Sequence, residues 1–178
     1  MAMDHFREEI VVKRRKGAQD ALYYLATVLM GLLAVIAFFL LSGLMMQFSV
    51  PDLIVAVIAA GSAVWLFLRK DQIRTEFEYT FTNGELDFAQ VYNNQKRKNL
   101  GTMRVKNVED FGAVNSEAFQ KLLNMPGLER KNWFLNRDAA LYYFYYRKES
   151  KKVMIVLEPS PEMVELIQKY LPQGIGRA

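Results

Sequence analysis

A chain of 178 residues has room for one ordinary domain and a smaller addition, and its net charge of +4 is too slight for a nucleic-acid-binding face. It has no cysteine, which excludes disulfides, thiolate metal sites and cysteine nucleophiles. Charge is sharply partitioned: none lies between Asp20 and Asp52, none between Asp52 and Arg69, and from Gln72 onward 16 Lys and Arg stand against 13 Asp and Glu.

Residues 1–20 read as a basic cytoplasmic flank ending in Lys13, Arg14, Arg15 and Lys16. The one histidine, His5, is expected to be a solvated side chain of a mobile terminus. The apolar run 21–48, ALYYLATVLMGLLAVIAFFLLSGLMMQF, predicts a first transmembrane helix. It exceeds the roughly 20 residues that cross a ~30 Å hydrocarbon core, and it is too long for the ~7–15-residue apolar stretch of a cleaved signal. Tyr23 and Tyr24 stand where amphipathic rings favour the headgroup level. Residues 49–52 predict a short extracytoplasmic turn, with Ser49 as N-cap and Asp52 three positions on forming a capping box around Pro51. Residues 53–71 supply a second transmembrane helix and its basic flank, Arg69 and Lys70.

Lys and Arg border the outer ends of this hairpin and are absent from its turn, so the positive-inside bias places both termini in the cytoplasm of a cell-membrane protein with two spans. Lys13, Arg14, Arg15, Lys16, Arg69 and Lys70 are candidate contacts for anionic lipid, worth about 1 kcal/mol each near the surface. Inside the spans the polar residues are Thr27, Ser42 and Ser62, small and neutral, which argues against a conduction path. Thr27, Gly31 and Ala34 share one helix face, as do Ala56, Ala60 and Ala63, and these small residues are expected to pack the hairpin against itself.

Residues 72–178 form the predicted cytoplasmic domain. TEFEYTFT at 75–82 alternates as a half-buried strand, Asn83-Gly84 is a hairpin turn, and 85–92 carries Leu86 and Phe88 on the matching face. Strands are predicted at 96–105 and 108–114, a short helix at 116–123 capped by Ser116, and a weak strand near 133–135. ALYYFYYR at 140–147 is apolar on both faces, as a strand covered on each side should be, and pairs with KVMIVLE at 152–158. A helix over 161–171 begins at Ser160 and Pro161 and presents Met163, Leu166, Ile167, Tyr170 and Leu171 as one stripe.

That order, about seven short antiparallel strands and a terminal amphipathic helix, resembles a pleckstrin-homology-like (PH-like) domain over about residues 75–172: α+β, a bent antiparallel sheet or partly open barrel. The full layout, with Glu9-Ile10-Val11-Val12-Lys13-Arg14-Arg15-Lys16 ahead of the first span, is similar to bacterial two-span membrane proteins carrying such a domain, a resemblance that implies no particular activity. Lipid-binding PH domains cradle phosphate in the loop joining their first two strands. Here that loop is read as Asn83-Gly84, which has no basic residue.

No constellation for catalysis, metal or cofactor is seen; the carboxylate pairs Glu76/Glu78 and Glu109/Asp110 could bind a cation, but Glu76 and Glu78 lie on an exposed strand face and solvation is the better reading. Lys96, Arg97 and Lys98, with Tyr143 and Tyr145, are the candidate partner surface. The expectation is a non-enzymatic, membrane-anchored binding or scaffold module, with the lipid bilayer and a protein as partners, no nucleic acid, and a homo-oligomer left open. The alternative is an accessory subunit of a transporter or envelope complex acting through the hairpin.

Overall fold

The structure, a computed structural model, describes residues 5–176. The chain divides into two compact units: one takes the residues up to Arg14, Glu76–Val91 and those from Lys96 on, and the other takes Arg15–Thr75 and Tyr92–Gln95.

In the second unit the charge-free stretch folds into helices α1 (Lys16–Leu44) and α2 (Val50–Arg69), followed by a 3-10 turn, Lys70–Ile73. α1 starts at Lys16 rather than 21, because the charge boundary marks where apolar sequence begins and nothing in Lys16–Asp20 forbids helix. It stops at Leu44 rather than 48, where the N–H groups of Met46 and Gln47 both turn back to the Gly43 carbonyl (3.0 Å each). Ser49 sits at the N-cap of α2 in extended backbone, but its side chain makes no capping bond, and the expected capping box is not formed. Pro51 in the first turn has no N–H to offer it.

The helix seam also differs from expectation. α1 turns Tyr23, Ala26, Met30, Leu33, Ala37, Leu40 and Leu44 inward, at alternating spacings of three and four. α2 answers with buried Ala56, Ala59 and Ala63 and half-buried Ala60. Gly31 and Ala34 are exposed, and a Cβ at Gly31 would meet nothing within 4 Å. The seam of α1 mixes Met30, Leu33, Leu40 and Leu44 with Ala26 and buried Ala37, and it faces an alanine-lined α2.

The first unit holds two four-stranded sheets, one ordered β1-β2-β3-β4 and the other β5-β7-β8-β6. In the first are β1 (Phe6–Val11), β2 (Thr75–Thr82), β3 (Glu85–Tyr92) and β4 (Lys96–Arg104). Asn83 and Gly84 both adopt positive φ (47° and 91°), as do Asn93 and Asn94 (50° and 53°), giving the two-residue turns that match the twist of the flanking strands. Gly84 has a further constraint, since a Cβ there would lie 2.6 Å from Tyr170 Cδ1.

The second sheet comprises β5 (Asp110–Ala113), β6 (Leu128–Trp133), β7 (Tyr142–Lys148) and β8 (Lys151–Leu157). Helix α3 (Glu117–Leu123) follows β5, and α4 (Pro161–Gln168) follows β8. Eight strands are found among the described residues instead of seven, and β6 runs parallel to β8, with Leu128 opposite Lys152. The weak strand expected near 133–135 lies earlier, at Leu128–Trp133, because its polar outward positions hide the alternation.

The additional strand is β1, inside the segment read as a mere basic flank. It pairs antiparallel with β2, from Phe6 opposite Thr82 to Val11 opposite Phe77. Its alternation is inverted: Phe6 and Ile10 are exposed, while Arg7 and Glu9 are half-buried on the other face with buried Val11. His5 is not a free terminal side chain. Its N–H donates to Asn83 Oδ1 (2.9 Å), and its Nδ1 lies 2.8 Å from the Tyr170 hydroxyl.

The main core joins Phe77, Tyr79, Phe81, Leu86 and Phe88 of the first sheet to Phe144, Ile155 and Leu157 of the second, with Met163 and Ile167 of α4. On the far face of the second sheet, Tyr143, Tyr145, Met154 and Val156 pack under Phe119 and Leu122 of α3. Strand β7 is therefore covered on both sides, as its two apolar faces require. Tyr79 links the sheets: its buried hydroxyl donates to the Trp133 carbonyl and accepts the Glu158 N–H (3.4 Å). Tyr79→Phe removes both bonds between buried groups and should cost about 1–3 kcal/mol. Unfolding of the detergent-solubilised full chain measures this, and an unchanged midpoint would remove the hydroxyl from the account.

Candidate functional site

Polar side chains gather at two places, one in each unit. In the hairpin unit, Tyr23 in the second turn of α1 is the centre. The Arg74 guanidinium lies 4.0 Å from its ring centroid and Lys70 Nζ 4.9 Å, within range of cation–π attraction. Lys70 Nζ also donates to the Tyr23 hydroxyl (3.1 Å) and lies 3.4 Å from buried Asp71. Arg74 pairs with Asp20 at 2.7 Å. The cluster thus pairs Lys70 with Asp71 and Arg74 with Asp20 around one aromatic ring.

The same cluster takes in the β3–β4 turn. Asn93 donates from Nδ2 to the Tyr23 hydroxyl and to Asp71 Oδ1 (3.3 Å each), and its backbone N–H donates to the Arg74 carbonyl (2.7 Å). Across the hairpin foot, Gln19 Nε2 donates to the Ile73 carbonyl (3.0 Å). None of this was visible in the sequence, where the partners lie up to 70 positions apart. Only the Asn-Asn pair hinted at a left-handed turn.

Of the candidate lipid contacts, Lys13, Arg15, Lys16 and Arg69 are exposed. Arg14 is exposed but reaches Asp138 (3.3 Å), and Arg69 donates to Gln72 (3.1 Å). Lys70 departs from expectation: its side chain is only 15% exposed and is drawn onto Tyr23 and Asp71. The loop joining the first two strands also differs from expectation. Strands β1 and β2 are the first two of the sheet, so the connection between them is residues 12–74, basic cluster included, and not Asn83-Gly84.

In the first unit, β1 is tied down by side chains that replace backbone partners. Buried Asn136 accepts the Arg14 N–H at Oδ1 (2.8 Å) and donates from Nδ2 to the Val12 carbonyl (3.0 Å), as a neighbouring strand's peptide would. Glu158 fixes the amide by accepting a second bond from Nδ2 (2.8 Å) and the Asn136 N–H (3.0 Å). Glu9 accepts the Ser160 N–H (2.9 Å) and the Ser160 hydroxyl, and Arg7 pairs with Glu9 (2.6 Å). Ser160 in turn caps α4 by accepting the Met163 N–H (3.2 Å). The Glu162 carboxyl is held below its ordinary range, first by its own backbone N–H at the helix start, then by the Ser160 hydroxyl and Arg7.

The candidate partner surface does not hold together. Lys96, Arg97 and Lys98 are exposed on β4, but Tyr143 and Tyr145 are buried beneath α3, because both faces of β7 are covered. Arg97 pairs with Glu78 (2.8 Å), whose side chain is largely buried instead of solvated. Glu109 lies 3.5 Å from Arg147, and Asp110 accepts the Tyr143 hydroxyl (3.1 Å). Among the described residues no group of three His, Asp or Glu could hold one metal ion.

Burial, then the Asp110 charge, pushes the Tyr143 phenol up to about 12 from its ordinary 10.0. Below about pH 10 both folded and unfolded states keep the proton. Between the two values only the unfolded state releases it, so stability falls as pH rises. Tyr143→Phe should flatten the alkaline loss of stability across that window in thermal unfolding. A variant with the parent's slope would mean that other groups set it.

Asn93→Gly keeps the left-handed backbone and deletes the side chain. Hydrogen exchange at Tyr92–Gln95 should rise at least about tenfold, the equivalent of ~1.4 kcal/mol, while the core of β2 stays protected. Parent-like exchange would show that the cluster does not hold the turn.

No curated protein and no solved structure matches the chain. Residues 3–177, with β1 and the hairpin included, match the family described as Bacterial PH-like domain (DUF6106), and the chain belongs to that family.

Proposed function

We propose that the helical hairpin spans a lipid bilayer and presents the PH-like unit at the cytoplasmic surface as a non-enzymatic binding or scaffold module. The observation that carries this reading is the outward face of the helices. Only 6% of the apolar window of α1 and 17% of that of α2 is buried. A core helix of a soluble protein would be covered, and exposed apolar patches beyond a few hundred Å² mark an interaction surface. Here Phe38, Phe39, Trp65 and Phe67 all stand exposed.

Lengths fit the same reading. The 29 residues of α1 extend ~44 Å and the 20 of α2 ~30 Å at 1.5 Å per residue, enough to cross with tilt in the longer helix. Exposed Lys13, Arg15, Lys16 and Arg69 lie at the open end, and the turn at 45–49 has no Lys or Arg, which supports cytoplasmic termini. The binding role rests on the PH-like fold, an argument by analogy.

The absence of cysteine makes the topology directly measurable. Met46→Cys, at the hairpin turn, should react with an impermeant maleimide on intact cells, and Lys148→Cys only after permeabilisation. The protein should also resist alkaline carbonate extraction. Release by carbonate would defeat the spanning reading, and reversed labelling would invert the topology.

A further inference from the structure

The open edges of the two sheets face a common cleft. β4 ends the first sheet and β6 the second, so each has a strand neighbour on one side only. Between them lies a cleft of about 290 Å³, lined by Leu100, Gly101 and Thr102 of β4 and by Glu129, Lys131 and Trp133 of β6. Phe88, Val153 and Ile155 contribute apolar lining. Unpaired strand edges invite another chain, and proteins commonly blunt or cover them.

This edge is partly guarded and partly open. Gly101 adopts φ +129° and its N–H is taken by Asn99 Oδ1 (2.7 Å), which restrains indiscriminate pairing. A Cβ at Gly101 would meet nothing within 4 Å, so the backbone there can be approached closely. The rim is mildly basic, with Lys131, Lys148 and Lys151 against Glu129 and Glu149. Lys131 and Glu129 pair at 3.4 Å, leaving Lys148 and Lys151 against Glu149 at the cleft. Exposed Lys98, on the same strand face as Leu100 and Thr102, adds positive charge.

We propose that this cleft binds an extended acidic segment of a protein partner by strand addition. Alternate apolar side chains would enter toward Phe88 and Trp133, and alternate carboxylates would meet Lys148 and Lys151. The period-two geometry of a strand supplies that division. A lipid headgroup can use the lysines but not the strand edges, which is why a peptide is favoured. The inference deepens the binding-module reading and rests on it.

The test uses the full chain in neutral phosphatidylcholine nanodiscs and a fluorescent peptide alternating glutamate and valine. Saturable binding by anisotropy is expected, with hydrogen-exchange protection at β4 and β6. The surface variant Lys148→Glu/Lys151→Glu should weaken binding at least tenfold, and a lysine–valine peptide should not compete. Absent binding, equal binding by the variant, or protection elsewhere overturns the proposal. So does cleft protection produced by anionic nanodiscs without peptide, which assigns the surface to the membrane. Carbonate extraction reads membrane anchoring separately, so failure of the peptide leaves that result standing.

Discussion

The register of β1 against β2 constrains the rest of the chain. Val11 stands opposite Phe77, so everything between them must leave and return within one strand spacing, about 4.8 Å. An apolar excursion under that condition needs an even number of traverses, and two helices of comparable length satisfy it. Their feet are closed by bonds internal to the hairpin, from Gln19 to Ile73 and from Arg74 to Asp20. The two helices are therefore an insertion between the first two strands of a sheet, and the PH-like domain is discontinuous in sequence.

An insertion of this kind makes its junctions the demanding places. β1 is a short edge strand with a charged inward face, which costs free energy unless each polar group finds a partner. Arg7 and Glu9 find theirs at the start of α4, and the chain leaving the strand finds its own in the Asn136 amide. Each such bond contributes only ~1 kcal/mol net, but breaking one leaves a desolvated group behind. The networks thus act chiefly by making alternatives expensive. Around Tyr23 and along β1 alike, the polar side chains are spent on one another and on the backbone.

These joints also determine which surfaces remain available. Lys70 and Arg74 are used in holding the hairpin foot, and Tyr143 and Tyr145 in holding α3. Among the charges that stay exposed are Lys13, Arg15, Lys16 and Arg69 on the segments flanking the helices, and Lys96, Lys98, Lys148 and Lys151 on β4 and the β7–β8 turn. The binding reading of this family member is therefore carried by surfaces left over after the fold has satisfied its own polar groups.

Features that depend on neighbours in sequence were legible there. The two apolar runs, the Asn83-Gly84 turn between alternating strands, the doubly apolar β7 and the Ser160-Pro161 helix start all follow from local geometry, and the structure has each of them. Features that need a distant partner were not. β1 has an inverted alternation that makes sense only beside α4, and β6 is polar outward and pairs in parallel with a strand that comes after β7. The helix seam was misplaced onto Gly31 and Ala34 because small residues permit close approach but do not compel it. Sequence alone determined that there is an apolar hairpin and a strand-rich domain. Only the tertiary structure decided that the first is inserted into the second, because backbone pairing between Val11 and Phe77 leaves no local trace in either segment.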